Sequence, residues 1–184
     1  MRNRIKFIFC AAALLLIISA GCWNYRELEQ RGLVCCAGID RAAEAGKIKM
    51  TIAVIRPGEV SSTGGQGGAV RAKAAYYTTT GYTVFDTTRN FLTQSSRRLF
   101  WGHNRHIILG EEAAREGVFK IIDRFVRGTE PRLRSWVFVA KGTEAKEIVE
   151  TVSKLESGPG PELDALIKSS TSLSKAPQVD LKMF

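Results

Sequence analysis

The 184-residue chain carries 27 Lys and Arg against 18 Asp and Glu, a formal charge of +9, and 45% of its residues are hydrophobic. That apolar share is ordinary for a chain that buries a core, and the length suffices for one domain and part of a second. Two histidines, four cysteines and no Cys-x-x-Cys spacing leave zinc and thioredoxin-type chemistry without support.

At the N-terminus Arg2, Arg4 and Lys6 precede an apolar run from Phe7 to Ile18. A run of about a dozen residues fits the hydrophobic region of a signal peptide and is short for a membrane span. Ser19-Ala20-Gly21 supply the small residues that a signal peptidase requires, and Cys22 follows directly. This is the pattern of a bacterial lipoprotein box, in which diacylglycerol alkylates the thiol, the chain is cut before the cysteine and the new amine can be acylated. Ser19 stands where such boxes usually carry Leu. Residues 1–21 are therefore expected to be a signal peptide and Cys22 the lipid-attachment residue; the competing reading is an ordinary secretory or transmembrane signal in which Cys22 is incidental. Arg2, Arg4 and Lys6 leave with the signal, and a charge of +6 remains. A basic exported chain has little occasion to meet nucleic acid. Its charge either faces the anionic lipid beside its own anchor or is an ordinary solvated surface.

Asn24 to Gln30 reads as a tether or a single helical turn. Leu33 to Ile39 is a strand candidate, Asp40 to Lys47 a connection, and Ile48 to Ile55 a second strand that forms a hairpin with the first. Arg56-Pro57-Gly58 is expected to end it. Ser61 to Gly68 is glycine-rich but lacks the Gly-Lys-Ser/Thr ending of a phosphate loop, and a flexible surface loop is expected. Ala74 to Thr80 is a third strand. Thr83 is positioned to cap a helix reaching about Ser96, with Val84, Thr87, Thr88, Phe91, Leu92 and Ser95 along one side. Leu99 to Gly102 closes that element.

Asn104 to Leu109 reads as a strand, and Gly110-Glu111-Glu112 opens a helix with two acids where the dipole favours them. Val118, Ile121, Ile122, Phe125 and Val126 form its apolar stripe, and Gly128 and Pro131 stop it. Leu133 to Ala140 is the strongest strand pattern. Thr143 is expected to cap a helix to about Leu155. Ser157 to Pro161 is a break, Glu162 to Ile167 a possible short helix, and Ser169 to Phe184 a polar tail. The intermingled strands and helices predict an α+β fold with a mixed sheet and packed helices. Residues 22–156 form its N-terminal domain, and residues 157–184 form a linker and the start of a following domain.

Little here supports catalysis. His103 and His106 lie three apart on a predicted strand, so their side chains face opposite ways and cannot readily share a metal. No Gly-x-Ser-x-Gly elbow occurs. Arg124, Arg127, Arg132 and Arg134 gather around a turn, either as a solvated face or as an anion or headgroup site. Cys10 leaves with the signal. Cys35 and Cys36, adjacent in a strand, are expected to face opposite ways and to remain buried free thiols rather than a disulfide.

Several stretches together resemble the Ger(x)C family, the lipoprotein C subunits of spore nutrient-germinant receptors. They are Cys22 to Leu28, Arg31 to Val34, Ala37-Gly38-Ile39-Asp40, Gly102-His103-Asn104, Ile107 to Ala114, Asp123-Arg124-Phe125, Pro131 to Arg134 and Val137 to Gly142. The chain departs from the family pattern at Cys35-Cys36, at His106 and in the glycine-rich loop. The resemblance implies a non-enzymatic subunit without cofactor or metal, lipid-anchored on the outer face of the spore's inner membrane. Its implied partners are an A subunit and a multispanning B subunit, within a family whose members continue into further mixed α/β domains. The alternative is a lipid-tethered binding module of another role in the envelope.

Overall fold

The computed structural model describes residues 2–19, 30–61, 71–151, 159–172, 177 and 179–184. Cys22 and most of the tether therefore lie outside the described residues, as do most of the glycine-rich loop and residues 152–158, where the boundary at 157 is expected. Helix α1 (Arg2–Ser19) leads. Its Ile5, Phe7, Ile8 and Phe9 side chains are exposed, and no helix among the described residues is long and apolar enough to cross a membrane.

The apolar run at Leu33–Ile39 sits inside β1 (Arg31–Arg41), which pairs antiparallel with β2 (Ile48–Ser61) as the alternation predicts. β2 pairs in turn with β3 (Arg71–Gly81). Arg56-Pro57-Gly58 does not end β2. The strand passes through a register irregularity between Ile55 and Val60, and a proline is tolerated where the ladder is already interrupted.

Two further strands, β5 (His106–Gly110) and β6 (Trp136–Ala140), extend the sheet in parallel on the other side of β1, giving the order β3-β2-β1-β5-β6. The short β4 (Arg98–Phe100) pairs in parallel with the start of β1; at three residues it is too brief to show a pattern in the sequence. The fold is thus α+β with a mixed six-stranded sheet.

Helices cover both faces. Over one face lie α2 (Val84–Asn90) and α3 (Glu111–Arg127), whose Val84, Ile121, Ile122 and Phe125, together with Phe91 just after α2, pack with Val34, Ile39, Met50, Ile52 and Ile107. Burying Ile121, Ile122 and Phe125 contributes about 1.5–3 kcal/mol each, whereas Val126, expected in the same stripe, is exposed. Trp101 closes this core edge-on to Phe125. Thr83 caps α2 as predicted, its hydroxyl accepting from the Asp86 amide at 3.0 Å. The helix ends at Asn90 rather than near Ser96, giving way to a 3-10 turn at Phe91–Thr93. Thr87 and Thr88 both donate back to the Val84 carbonyl, which competes with regular helix propagation.

Over the other face lie α4 (Ala145–Glu150) and α5 (Pro159–Ser172), packed on Cys35, Cys36, Ala53, Ile108 and Ala140. Helix α5 begins inside the expected break, because Pro159 and Pro161 fall in a first turn that needs no intrahelical amide donors. The polar tail is also more structured than its composition suggests. Val137 donates to the Val179 carbonyl, Leu181 donates to the Ser135 carbonyl, and Asp180 bridges Trp136. Leu181 is buried in the first core, so residues 179–181 are fastened against residues 135–137 at the start of β6.

Cys35 and Cys36 are buried free thiols, but not for the reason the strand period gives. A bulge between Val34 and Cys36 breaks the register with β2, and both cysteines join the α4–α5 core. Cys35 Sγ lies 3.4 Å from the Ala53 carbonyl. Burial pushes the Cys35 thiol up to about 11 and Cys36 well above its ordinary value, which leaves almost no thiolate at neutral pH.

Candidate interaction surface

The two histidines do not form a site together. His103 lies in a 3-10 turn at Trp101–His103 and is exposed, rather than on a strand with its neighbour. His106 opens β5 fully buried, stacked on Phe138. Its Nε2 lies 3.0 Å from Oδ1 of Asp164 on α5, and Arg105 holds the other carboxylate oxygen at 2.8 Å. This cluster fastens α5 to the sheet. Burial lowers the His106 pKa, against the pull of Asp164 and with the help of Arg105. Below about pH 6.5 the unfolded chain then binds a proton that the folded chain resists, so stability is full above that value and falls as the medium is acidified. Thermal unfolding should show a midpoint that drops between pH 7 and pH 5, and a His106→Gln variant, less stable throughout, should show a shallower drop. Parallel curves would remove His106 from the account. Among the described residues no group of three or more His, Cys, Asp and Glu could hold a metal.

Motif residues of β1 and β5 hold α4 in one structural device. Helix α4 has Glu144 at its N-cap with no side-chain cap of its own, in place of the expected Thr143. Its acceptor comes from more than a hundred residues upstream. Asp40 Oδ1 accepts from the Ala145 amide at 2.7 Å, and Oδ2 accepts from the Lys146 amide at 2.9 Å. Lys49 on β2 ties Glu144 down at 2.7 Å. The approach requires glycine on both sides. A Cβ at Gly110 would stand 2.2 Å from Asp40 Oδ1, and one at Gly38 would stand 2.9 Å from Val149 and 3.1 Å from the Ala145 backbone. Gly38, Asp40 and Gly110 thus hold α4 to the sheet. Gly102 plays a similar part at the other end, where a Cβ would stand 2.5 Å from the Phe100 ring. Glu111 accepts from the Gly142 amide, linking the start of α3 to the end of β6.

These residues explain the scaffold; the surface it presents lies on the α3 side. A groove of about 1080 Å³ runs beside α3, bounded by the Gly46–Ile48 turn and the Tyr82–Phe85 corner. Its apolar wall is exposed, with Phe119 at 79%, Tyr82 at 69% and Phe85 at 53% of their full accessibility. Cations accompany the rings. Lys47 lies 5.2 Å from the Tyr82 centroid, while Arg124 and Arg89 lie 5.5 and 5.9 Å from that of Phe85. Gly117 interrupts α3 within the groove at φ 124°, ψ 114°, a conformation that a residue with a side chain rarely adopts.

Of the four arginines read as a cluster, the structure brings Arg124 and Arg127 to this groove and leaves Arg132 and Arg134 exposed on the connection before β6. The aromatic wall escapes the sequence reading. Its signal is Phe119, a bulky apolar residue set just off the Val118, Ile121, Ile122, Phe125 stripe.

No solved structure matches the chain. The putative spore germination protein YfkR of Bacillus subtilis (strain 168) is 31% identical over 166 residues, covering 89% of this chain and 42% of the relative. Spore germination protein KC of the same organism is 30% identical over 157 residues, covering 82% of this chain and 38% of the relative. Spore germination protein YndF is 25% identical over 158 residues. The chain thus spans about two fifths of the length of the curated relatives it matches. The family model described as the spore germination protein N-terminal domain matches residues 24–184, which is nearly all of the fold described above, and the chain belongs to that family.

Proposed function

We propose that this chain is the lipid-anchored C subunit of a spore nutrient-germinant receptor and that it works by contact rather than by turnover. The observation that carries the reading is the family match over residues 24–184, with relatives that are spore germination proteins. The proposed anchor is Cys22 on the extracytoplasmic face of the spore's inner membrane, after removal of residues 1–21. The small residues before Cys22 and the exposed apolar side chains of α1 support it. The proposed partners are the receptor's A subunit and its multispanning B subunit. A short tether confines the domain beside membrane-embedded partners and raises its effective concentration, so that modest contacts suffice.

Such a role asks for a rigid display rather than a reactive centre. The Gly38–Asp40–Gly110 device supplies rigidity, and the α3 groove supplies a surface. The most direct test of the anchor is mass spectrometry of the mature N-terminus from membranes. It should return a diacylated Cys22, and a Cys22→Ser variant should accumulate unprocessed. An unmodified Cys22 in the mature protein, or cleavage elsewhere, would overturn the anchor.

A further inference from the structure

We propose that the groove beside α3 seats an acidic, apolar-faced segment of one of the membrane-embedded partner subunits, an assignment that rests on the receptor reading above. Shape argues for a polypeptide. At about 1080 Å³ the groove has room for a stretch of side chains and stands at the upper limit of the roughly 300–1,000 Å³ of small-molecule sites. The groove also runs alongside a helix, as sites that take a helical or extended segment do. Phe119, Tyr82 and Phe85 expose aromatic surface at its wall, of the kind that anchors protein interfaces.

Charge argues for an acidic occupant. Four cations line the groove against two carboxylates, and most are matched: Lys47 with Glu44, Arg127 with Asp123, and Glu116 with Arg41. Among the described residues Lys120 and Arg124 have no ion-pair partner, and Arg124 Nε is buried without a hydrogen bond. An incoming carboxylate would pair with exposed Lys120 and lie beside the Arg124 guanidinium. Position argues against the bilayer itself as occupant. A flat lipid surface does not fill a concave cleft, and one end of the groove is the Gly46–Ile48 turn, at the end of the β1–β2 hairpin away from Arg31, where the tether enters.

The test uses the full chain in spores that contain the partner subunits. Phe119 is replaced by photoreactive benzoylphenylalanine, with Lys168 on α5 as the control position. Illumination should give an adduct to a partner subunit from Phe119 and not from Lys168, mapping to a segment that carries Asp or Glu among apolar residues. Lys120→Glu should lower the yield about tenfold, and exchanging the partner's acidic residue for Lys should restore it. Phe119 and Lys120 are both exposed, and circular dichroism of the variants checks that the fold is kept. An adduct to lipid alone, or to a second copy of this chain, would overturn the assignment. So would the absence of a Phe119 adduct while the chain still co-purifies with the membrane subunits, and the receptor reading would then stand. If the chain does not co-purify with them at all, both readings fall.

Discussion

Replacing Asp40 with alanine should lower the stability of the domain by about 2–4 kcal/mol, because two amides at the start of α4 lose their acceptor in a setting closed to water. For a domain of this size such a loss corresponds to a fall of roughly 10 °C in melting temperature. Burial raises the Asp40 carboxyl's pKa, while the Ala145 and Lys146 amides pull it back. The loss on truncation is therefore dominated by the unpaired amides rather than by an intrinsically favourable buried charge. Asp40→Asn, which keeps one carbonyl oxygen but turns an NH2 toward the second amide, should fall between. The neighbour supplies a sharper check. Gly110→Ala puts a methyl where Asp40 Oδ1 stands, so it should destabilise the native protein by more than it destabilises the Asp40→Ala background. A double-mutant cycle should give a coupling of about 1 kcal/mol or more. Additive effects, or an Asp40→Ala protein that melts like the parent, would show that α4 is held some other way.

This device also shows what could be read in the chain and what could not. Strands β1, β2, β3, β5 and β6 and helix α3 follow local periodicity, and each stands near where the pattern puts it. The Thr83 cap is likewise local, since the hydroxyl and the amide it satisfies are three residues apart. The cap of α4 is not. Asp40 reads as the first residue of a connection, and only the folded sheet carries its carboxylate to Ala145. The glycines at 38 and 110 are legible as family motif residues, while their reason, close approach of α4 and Asp40, exists only in three dimensions.

The cysteine pair carries the opposite lesson. The strand period sends Cys35 and Cys36 to opposite faces, and one extra residue at a bulge brings both into one core. The thiols are free although they share that core. His106 and Asp164 are 58 residues apart, and no spacing announces their pairing. The groove is half legible. Arg124 and Arg127 attract notice as charges, whereas Tyr82, Phe85 and Phe119 look like ordinary apolar residues until their exposure is known. The tail is the reverse case: a polar composition hides Leu181, whose burial and backbone bond to Ser135 fasten residues 179–181 to the start of β6.

The largest functional effect should come from loss of the proposed Cys22 anchor. Its loss leaves the domain's contacts intact and removes only their confinement to the membrane, where effective concentration multiplies modest affinity by about 10²–10⁴. Cys22→Ala should therefore resemble deletion of the gene, although the domain itself folds. Exposed His103 should tolerate alanine, and His106→Ala should act only through stability.

The measurement that meets the central claim most directly is the germination rate of spores in response to the nutrient that uses this receptor. The strain should carry the cognate membrane subunits and no paralogous receptor for that nutrient. Deletion and Cys22→Ala should both slow the response by about tenfold or more, as loss of tethering implies, while germination by a receptor-independent trigger proceeds at the parental rate. Parental nutrient germination in the deletion strain would contradict the assignment of this chain to a working receptor, and parental germination in the Cys22→Ala strain alone would contradict action through a lipid tether.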